Sequence, residues 1–227
     1  MRIEDYYDLS GKQIKQFEDY RELLILWNKK INLTAITDND QIVLKHFVDS
    51  LTISKFIENN SKVIDVGTGA GFPGIPLKIY NDTLRITLMD ALNKRVGFLN
   101  EVIDNLKLDN VCAIHSRAED LARDKKQREN YDYAVSRAVS NLSTLAEYLL
   151  PFVRVGGECI CMKGPNVDEE IEISKNAIKV LGGEIEKVDR FVLPDSDMIR
   201  NVIIIRKIRK TDCKYPRKAG IPAKKPL

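Results

Sequence analysis

No apolar run in the chain of 227 residues approaches the ~20 residues that a bilayer-spanning helix needs. The opening stretch, MRIEDYYDLSGKQ, has none of the apolar character of a secretory leader, so no leader is expected. Cysteine is scarce: Cys112, Cys159, Cys161 and Cys213, with no CxxC pair. Histidine is scarcer, with only His46 and His115. A metal cage is therefore not expected, and reduced thiols in a cytoplasmic protein are. Acidic and basic residues nearly cancel, for a net charge of +3. What is abundant is apolar residue, 44% of the chain, enough to bury a real core and to exclude wholesale disorder.

The small net charge hides an asymmetry. Residues 206–227 hold nine Lys/Arg and one acid, Asp212, and the other 205 residues carry a net −5. A basic pole on a mildly acidic body points to a polyanionic partner, or else to a solvated tail.

Apolar spacing predicts an amphipathic helix from about Gly11 to Lys30 and a second from Asp40 to about Glu58. From Lys62 onward, short apolar runs alternate with helices. Strands are expected at 63–66, 86–89, 111–114, 131–135 and 158–162, with helices near 93–104, 142–150 and 168–181. Two longer strands, near 184–192 and 201–208, read as a closing antiparallel hairpin. The alternation means an α/β fold, a mostly parallel, doubly wound sheet. The expected organisation is a helical extension over 1–60, a Rossmann-like domain over 61–210 and a basic tail over 211–227 that packs on or near the site.

The segment Asp65-Val66-Gly67-Thr68-Gly69-Ala70-Gly71-Phe72 leaves the first strand. Alternate glycines let backbone approach a ligand closely, and the following helix turns N–H groups toward it. A dinucleotide is one candidate, since Gly69 to Gly74 reads GxGxxG. S-adenosylmethionine is the other, and it is favoured. The DxGxGxG pattern is similar to the first motif of class I methyltransferases, and Asp65 suits the ligand's ammonium where it would repel a pyrophosphate. Pro73 and Pro76 also remove two N–H donors that a dinucleotide loop needs. Asp90 closes the second strand, where an acid can accept both ribose hydroxyls. After the third strand, Glu119 is placed either to accept from the adenine amino group or to cap a helix.

The fourth strand ends in Val135-Ser136-Arg137-Ala138-Val139, without the [DNS]PP[YFW] motif usual for methylation of exocyclic amines. No cysteine sits where it could attack a pyrimidine ring; Cys112, Cys159 and Cys161 fall inside strands and read as small buried residues. The site offers Arg137 and Lys163 instead. Cations with no evident base suit a nucleophile whose lone pair is already free, such as guanine N7.

Nearly end to end, the chain resembles the RsmG family, also called glucose-inhibited division protein B. The resemblance rests on NLTAI at 32–36, HFVDSL at 46–51, the run from Asp65 to Leu77, Asp90 with Lys94-Arg95, Arg117-Ala118-Glu119, Ser136-Arg137-Ala138 and YPRKAGIP at 215–222. It implies a class I methyltransferase with a seven-stranded sheet and an N-terminal helical extension. The implied reaction moves a methyl group from S-adenosyl-L-methionine to N7 of guanine 527 in the 530 loop of bacterial 16S rRNA, leaving S-adenosyl-L-homocysteine. Cofactor contacts are implied at Gly67, Phe72, Ala118, Glu119 and Arg137, beside the Asp65, Gly69, Gly71 and Asp90 already named. Ala91-Leu92-Asn93 departs from the Ser and Gly that family members often carry there, which makes that loop stiffer. In the tail, Tyr215 can stack on a base while Lys214, Arg217 and Lys218 bind phosphate. Arg95, Arg117 and Arg200 are further cations expected to meet RNA. His46 is either structural or an RNA contact. The expected partner is the small ribosomal subunit, with no membrane and with the protein a monomer. The competing readings are an NAD(P)-dependent oxidoreductase and a non-catalytic RNA-binding assembly factor.

Overall fold

The computed structural model describes residues 1–137 and 140–227; Ala138 and Val139 lie outside the described residues. The first helix, α1 (Gly11–Ile31), starts where Ser10 and Gln13 cap each other: each side chain accepts from the other's backbone N–H. Phe17, Tyr20 and Leu24 recur on one face and are buried. Asn32, in the left-handed region at φ 48°, ends the helix.

The second expected helix is shorter than its periodicity predicts. It begins as α2 (Asn39–Ile42), widens into a π-helical turn (Val43–Val48) and closes as α3 (Asp49–Leu51). Thr52 stops it, since both its N–H and its hydroxyl turn back to the Asp49 carbonyl, the hydroxyl at 2.6 Å. A 3₁₀ turn (Ser54–Phe56) follows, and buried Ile53 and Ile57 keep the apolar spacing alive beyond the helix.

Five strands run parallel: β1 (Lys62–Val66), β2 (Arg85–Asp90), β3 (Val111–His115), β4 (Tyr131–Arg137) and β5 (Val153–Lys163). β6 (Gly183–Val192) and β7 (Ile199–Lys207) close the sheet, with β7 antiparallel to β5. The order is β3-β2-β1-β4-β5-β7-β6, so the chain reverses direction across the sheet between β1 and β4. The carboxyl ends of those two strands open the crevice where such sheets bind ligands.

The connecting helices are α4 (Gly74–Tyr80), α5 (Asn93–Leu106), α6 (Ala118–Leu121), α7 (Leu142–Leu149), α8 (Asp168–Leu181) and, near the C-terminus, α9 (Ile221–Lys224). α9 escaped sequence reading, and α6 entered it only as one of the two readings of Glu119, because four residues hold no measurable period. Strand side chains alternate between two cores. Val63, Val135 and Ile160 join Phe17, Tyr20 and Phe47 on one face, and Ile64, Ala134, Cys159 and Cys161 join Leu145, Leu149 and Ile178 on the other. Cys112 departs from the buried reading: it is exposed on β3, which ends the sheet and has β2 as its one neighbour. Among the described residues no helix is long and apolar enough to cross a membrane.

Candidate active site

The glycine loop leaves β1 with Gly67, Gly69 and Gly71 at φ 71°, 62° and 98°, a conformation that side chains with Cβ rarely adopt. The three are not equivalent. A Cβ on Gly71 would sit 2.6 Å from Ile75 and 2.7 Å from the Tyr20 hydroxyl, so this glycine is a packing requirement. Gly74 is likewise pressed against Leu88, at 2.4 Å. A Cβ on Gly69 would meet no atom within 4 Å; this is the glycine that faces open space.

Asp65 is completely buried beneath the loop. Its Oδ2 accepts from the Thr68 hydroxyl at 2.6 Å and from the Gly74 N–H at 2.8 Å, latching the loop to the sheet. Its Oδ1 has no partner. Burial raises its pKa to about 7, against the pull of those two hydrogen bonds. Asp90, at the end of β2, accepts from the Gly69 N–H at 2.9 Å and from the Leu92 N–H at 2.9 Å. Arg95 pairs with Asp90 at 3.3 Å, which makes it first of all a counterion within the site.

Arg137 ends β4 and reaches across to the N-terminal helices. It donates to the Lys45 carbonyl at 3.0 Å, to Asp49 Oδ2 at 3.3 Å and to His46 Nδ1 at 3.0 Å. Its guanidinium lies 4.8 Å from the Phe72 ring centre, and the His46 ring stacks on the same phenyl at 4.4 Å. Because Arg137 can only donate, His46 Nδ1 must accept, which leaves Nε2–H to donate to the Thr34 hydroxyl at 2.9 Å. Burial, and then the Arg137 charge, pull the His46 pKa down to about 3, so the ring is neutral. The tautomer and charge assign His46 to structure.

A family model described as rRNA small subunit methyltransferase G matches residues 13–199. The chain belongs to that family. The Ribosomal RNA small subunit methyltransferase G of Acetivibrio thermocellus is 53% identical over 221 residues, covering 97% of this chain and 91% of the relative. That of Desulforamulus reducens is 52% identical over 223 residues, covering 97% and 93%. Among solved structures, M. jannaschii TYW2 in complex with AdoMet matches with a TM-score of 0.56 at 17% identity, covering 71% of this chain and 76% of that one. A SAM dependent methyltransferase from Aquifex aeolicus matches with a TM-score of 0.55 at 18% identity, covering 77% and 96%. At these identities the likeness is one of fold. As a member of the family the protein is a methyltransferase whose methyl donor is S-adenosylmethionine, which sets aside the dinucleotide and oxidoreductase readings.

The loop fits that donor. Open space at Gly69 admits a ligand against the backbone, and Asp65, ionised above about pH 7, then makes the underside of the loop negative. Such a potential suits an ammonium and opposes a pyrophosphate. Asp65 is sealed under the loop, so it acts through the loop and not from an open wall.

Several residues expected at a family site have partners within the protein. Glu119, the first acid of α6, is buried, and its Oε1 accepts from the Gly220 N–H at 2.9 Å. Ala118 is buried beside it. Lys163 is no free catalytic cation: its ammonium binds the Ser140 carbonyl and pairs with Glu170 at 2.7 Å, holding the start of α8. Arg200 pairs with Asp49 at 2.9 Å. Arg117 is exposed at the N-cap of α6.

The tail is a strap, not a solvated arm. Arg128 donates to the carbonyls of Thr211 at 2.8 Å and Tyr215 at 2.8 Å, and Arg123 to that of Pro216. Tyr215 is 8% exposed and packs in the core, so it does not present its ring to a base. Arg217 closes on the fully buried Glu147 through its N–H at 2.7 Å, Nε at 3.0 Å and Nη2 at 2.7 Å. Lys214 pairs with Asp212 at 3.6 Å, both exposed, and Lys218 is exposed. The body's arginines hold the tail by its carbonyls, and the tail in turn supplies donors to the buried carboxylates of α6 and α7, a requirement invisible until the fold brings them together. Glu147 under the tail and Asp49 beside the N-terminal helices, two carboxylates that organise the surroundings of the site, were missed in sequence; the one available signal for Asp49 was its place in HFVDSL.

Arg217→Ala should leave Glu147 charged, buried and unpaired, and lower the unfolding free energy by about 3–5 kcal/mol in urea titration. Arg217→Ala combined with Glu147→Gln should recover much of that loss. His46 supplies a pH signature. Its folded pKa of about 3 lies below the ordinary 6.5, so the unfolded chain takes the proton first and stability falls as pH drops below about 6.5. Between pH 6.5 and 5 this single group should cost about 1.5 kcal/mol. His46→Gln should lose less stability over the same interval, measured by urea midpoints at each pH.

Proposed function

We propose that this chain methylates N7 of guanine 527 in the 530 loop of 16S rRNA, as a cytoplasmic monomer acting on the small ribosomal subunit. The observation that carries the reading is the chemistry at the carboxyl end of β4: among the described residues it presents a guanidinium and no competent base or nucleophile. His46 is neutral with its lone pair already taken by Arg137. Cys161 is buried and its thiol is pushed up to about 12, so it yields no thiolate for attack on a pyrimidine ring. The Cys159 thiol is pushed up in the same way, by burial. Asp65, though raised to about 7, is sealed beneath the loop with two donors on Oδ2.

Guanine N7 needs neither kind of group. When bound, the cofactor supplies a sulfonium methyl, which the N7 lone pair takes as the carbon–sulfur bond breaks toward sulfur, with no proton to remove. The protein's work is then alignment and exclusion of water. Gly67, Gly69 and Asp90 hold the donor, Arg137 and Phe72 form the wall beside it, and Arg117 and Lys218 remain free to meet phosphate. Arg95, Arg200 and Lys214 join them only where their carboxylate partners yield, and Arg217 and Tyr215 are structural.

Mapping of N7-methylguanine in 16S rRNA, from cells with and without this gene and after treatment with purified protein, tests the reading. A methyl group at another nucleotide, or none, overturns it, and the second outcome favours a non-catalytic assembly factor. Gly69→Val should abolish calorimetric binding of S-adenosylhomocysteine while the fold survives, the left-handed backbone adding about 1–2 kcal/mol of strain. Unchanged affinity would remove the loop from the binding site.

A further inference from the structure

Asp49 has a place in this site that neither the loop nor the fold explains. It opens α3 directly after the π turn and is 5% exposed. Both of its oxygens are committed to cations, Oδ1 to Arg200 at 2.9 Å and Oδ2 to Arg137 at 3.3 Å. These arginines come from β7 and β4, distant in sequence, and meet at one carboxylate. Arg137 takes its other two acceptors, the Lys45 carbonyl and His46 Nδ1, from the same π turn. So held, it lies against Phe72, the aromatic residue that ends the glycine loop. Without Asp49 the buried guanidinium keeps only neutral acceptors, which do not compensate a desolvated charge, and it gains reason to swing toward water.

We propose that Asp49 is a positioning residue for methyl transfer, holding Arg137 against Phe72 and so fixing the far wall of the cofactor loop. The proposal rests on the reading that this loop holds S-adenosylmethionine. It also gives the N-terminal helices a part in the reaction, because the π turn is the bracket that aims Arg137.

The test is Asp49→Asn, which keeps the shape but turns an amide N–H₂ toward an arginine donor. The folded variant should bind S-adenosylhomocysteine about tenfold more weakly by calorimetry, and the KM for S-adenosylmethionine should rise with it. Asp49→Glu, which keeps the charge but moves it by one methylene, should fall between the two. In an Arg137→Ala background, Asp49→Asn should add little further loss, because the two act through one contact. A variant that melts earlier yet binds the ligand as tightly as wild type overturns the proposal, and so do losses that simply add. If Asp49→Asn does not fold, Asp49→Glu carries the same test, with unchanged affinity as the overturning result. Gly69→Val separates the two levels. If it binds normally, the loop reading falls; if it fails to bind while the Asp49 variants bind normally, the positioning role falls.

Discussion

Arg137 carries its charge inside the protein, where a charge needs several well-placed partners at once. Burial pulls its pKa down from the ordinary arginine value, and Asp49 is the strongest influence holding it up. Meeting that need dictates much of the neighbouring architecture. Asp49, the Lys45 carbonyl and His46 must all be presented from one stretch of helix, and that stretch is π-helical. His46 must be neutral, in one tautomer, and anchored on Thr34. Phe72 must sit where both the guanidinium and the imidazole can stack on it. The end of the glycine loop is thus tied to the N-terminal helices by the same contacts that satisfy one cation.

The other side of the crevice solves a matching problem with opposite sign. Glu119 and Glu147 are buried acids, and the strap supplies the Gly220 N–H to one and the whole Arg217 head to the other. Lys207, also counted in the basic pole, is fully buried on the carbonyls of Leu150 and Val153 and pairs with Glu129. Part of the basic surplus of residues 206–227 is therefore internal counter-charge. Among the described residues of 206–227, Arg209, Lys210, Lys218, Lys224 and Lys225 have no carboxylate partner; Arg209 is spent on the carbonyls of Lys179 and Val180, and the four lysines are left for a polyanion.

Composition and spacing carried the fold a long way. Short β-branched runs separated by amphipathic stretches placed all seven strands, and the glycines after β1 marked the crevice, because backbone period and φ preference are local properties. The second helix was overextended because its apolar spacing continues past Thr52, where a side-chain hydroxyl, not a loss of period, ends it. Lys163, Arg200, Tyr215 and Arg217 were legible as cations or an aromatic near the site, but not as groups already taken. Glu170, seven residues on, claims Lys163 across a strand-to-helix turn, while Asp49, the core against α7 and Glu147 claim the others from positions far away in the chain.

The order of the strands, the place of the glycine-rich loop and the family to which the chain belongs are each written in contiguous residues, so the amino-acid order was enough to settle them. Which glycine faces space, which nitrogen of His46 carries its proton and which charges are free were settled only in the folded chain. Those depend on desolvation and on donors meeting acceptors across the fold, and a charge's partner is set by distance in space, which no local pattern encodes.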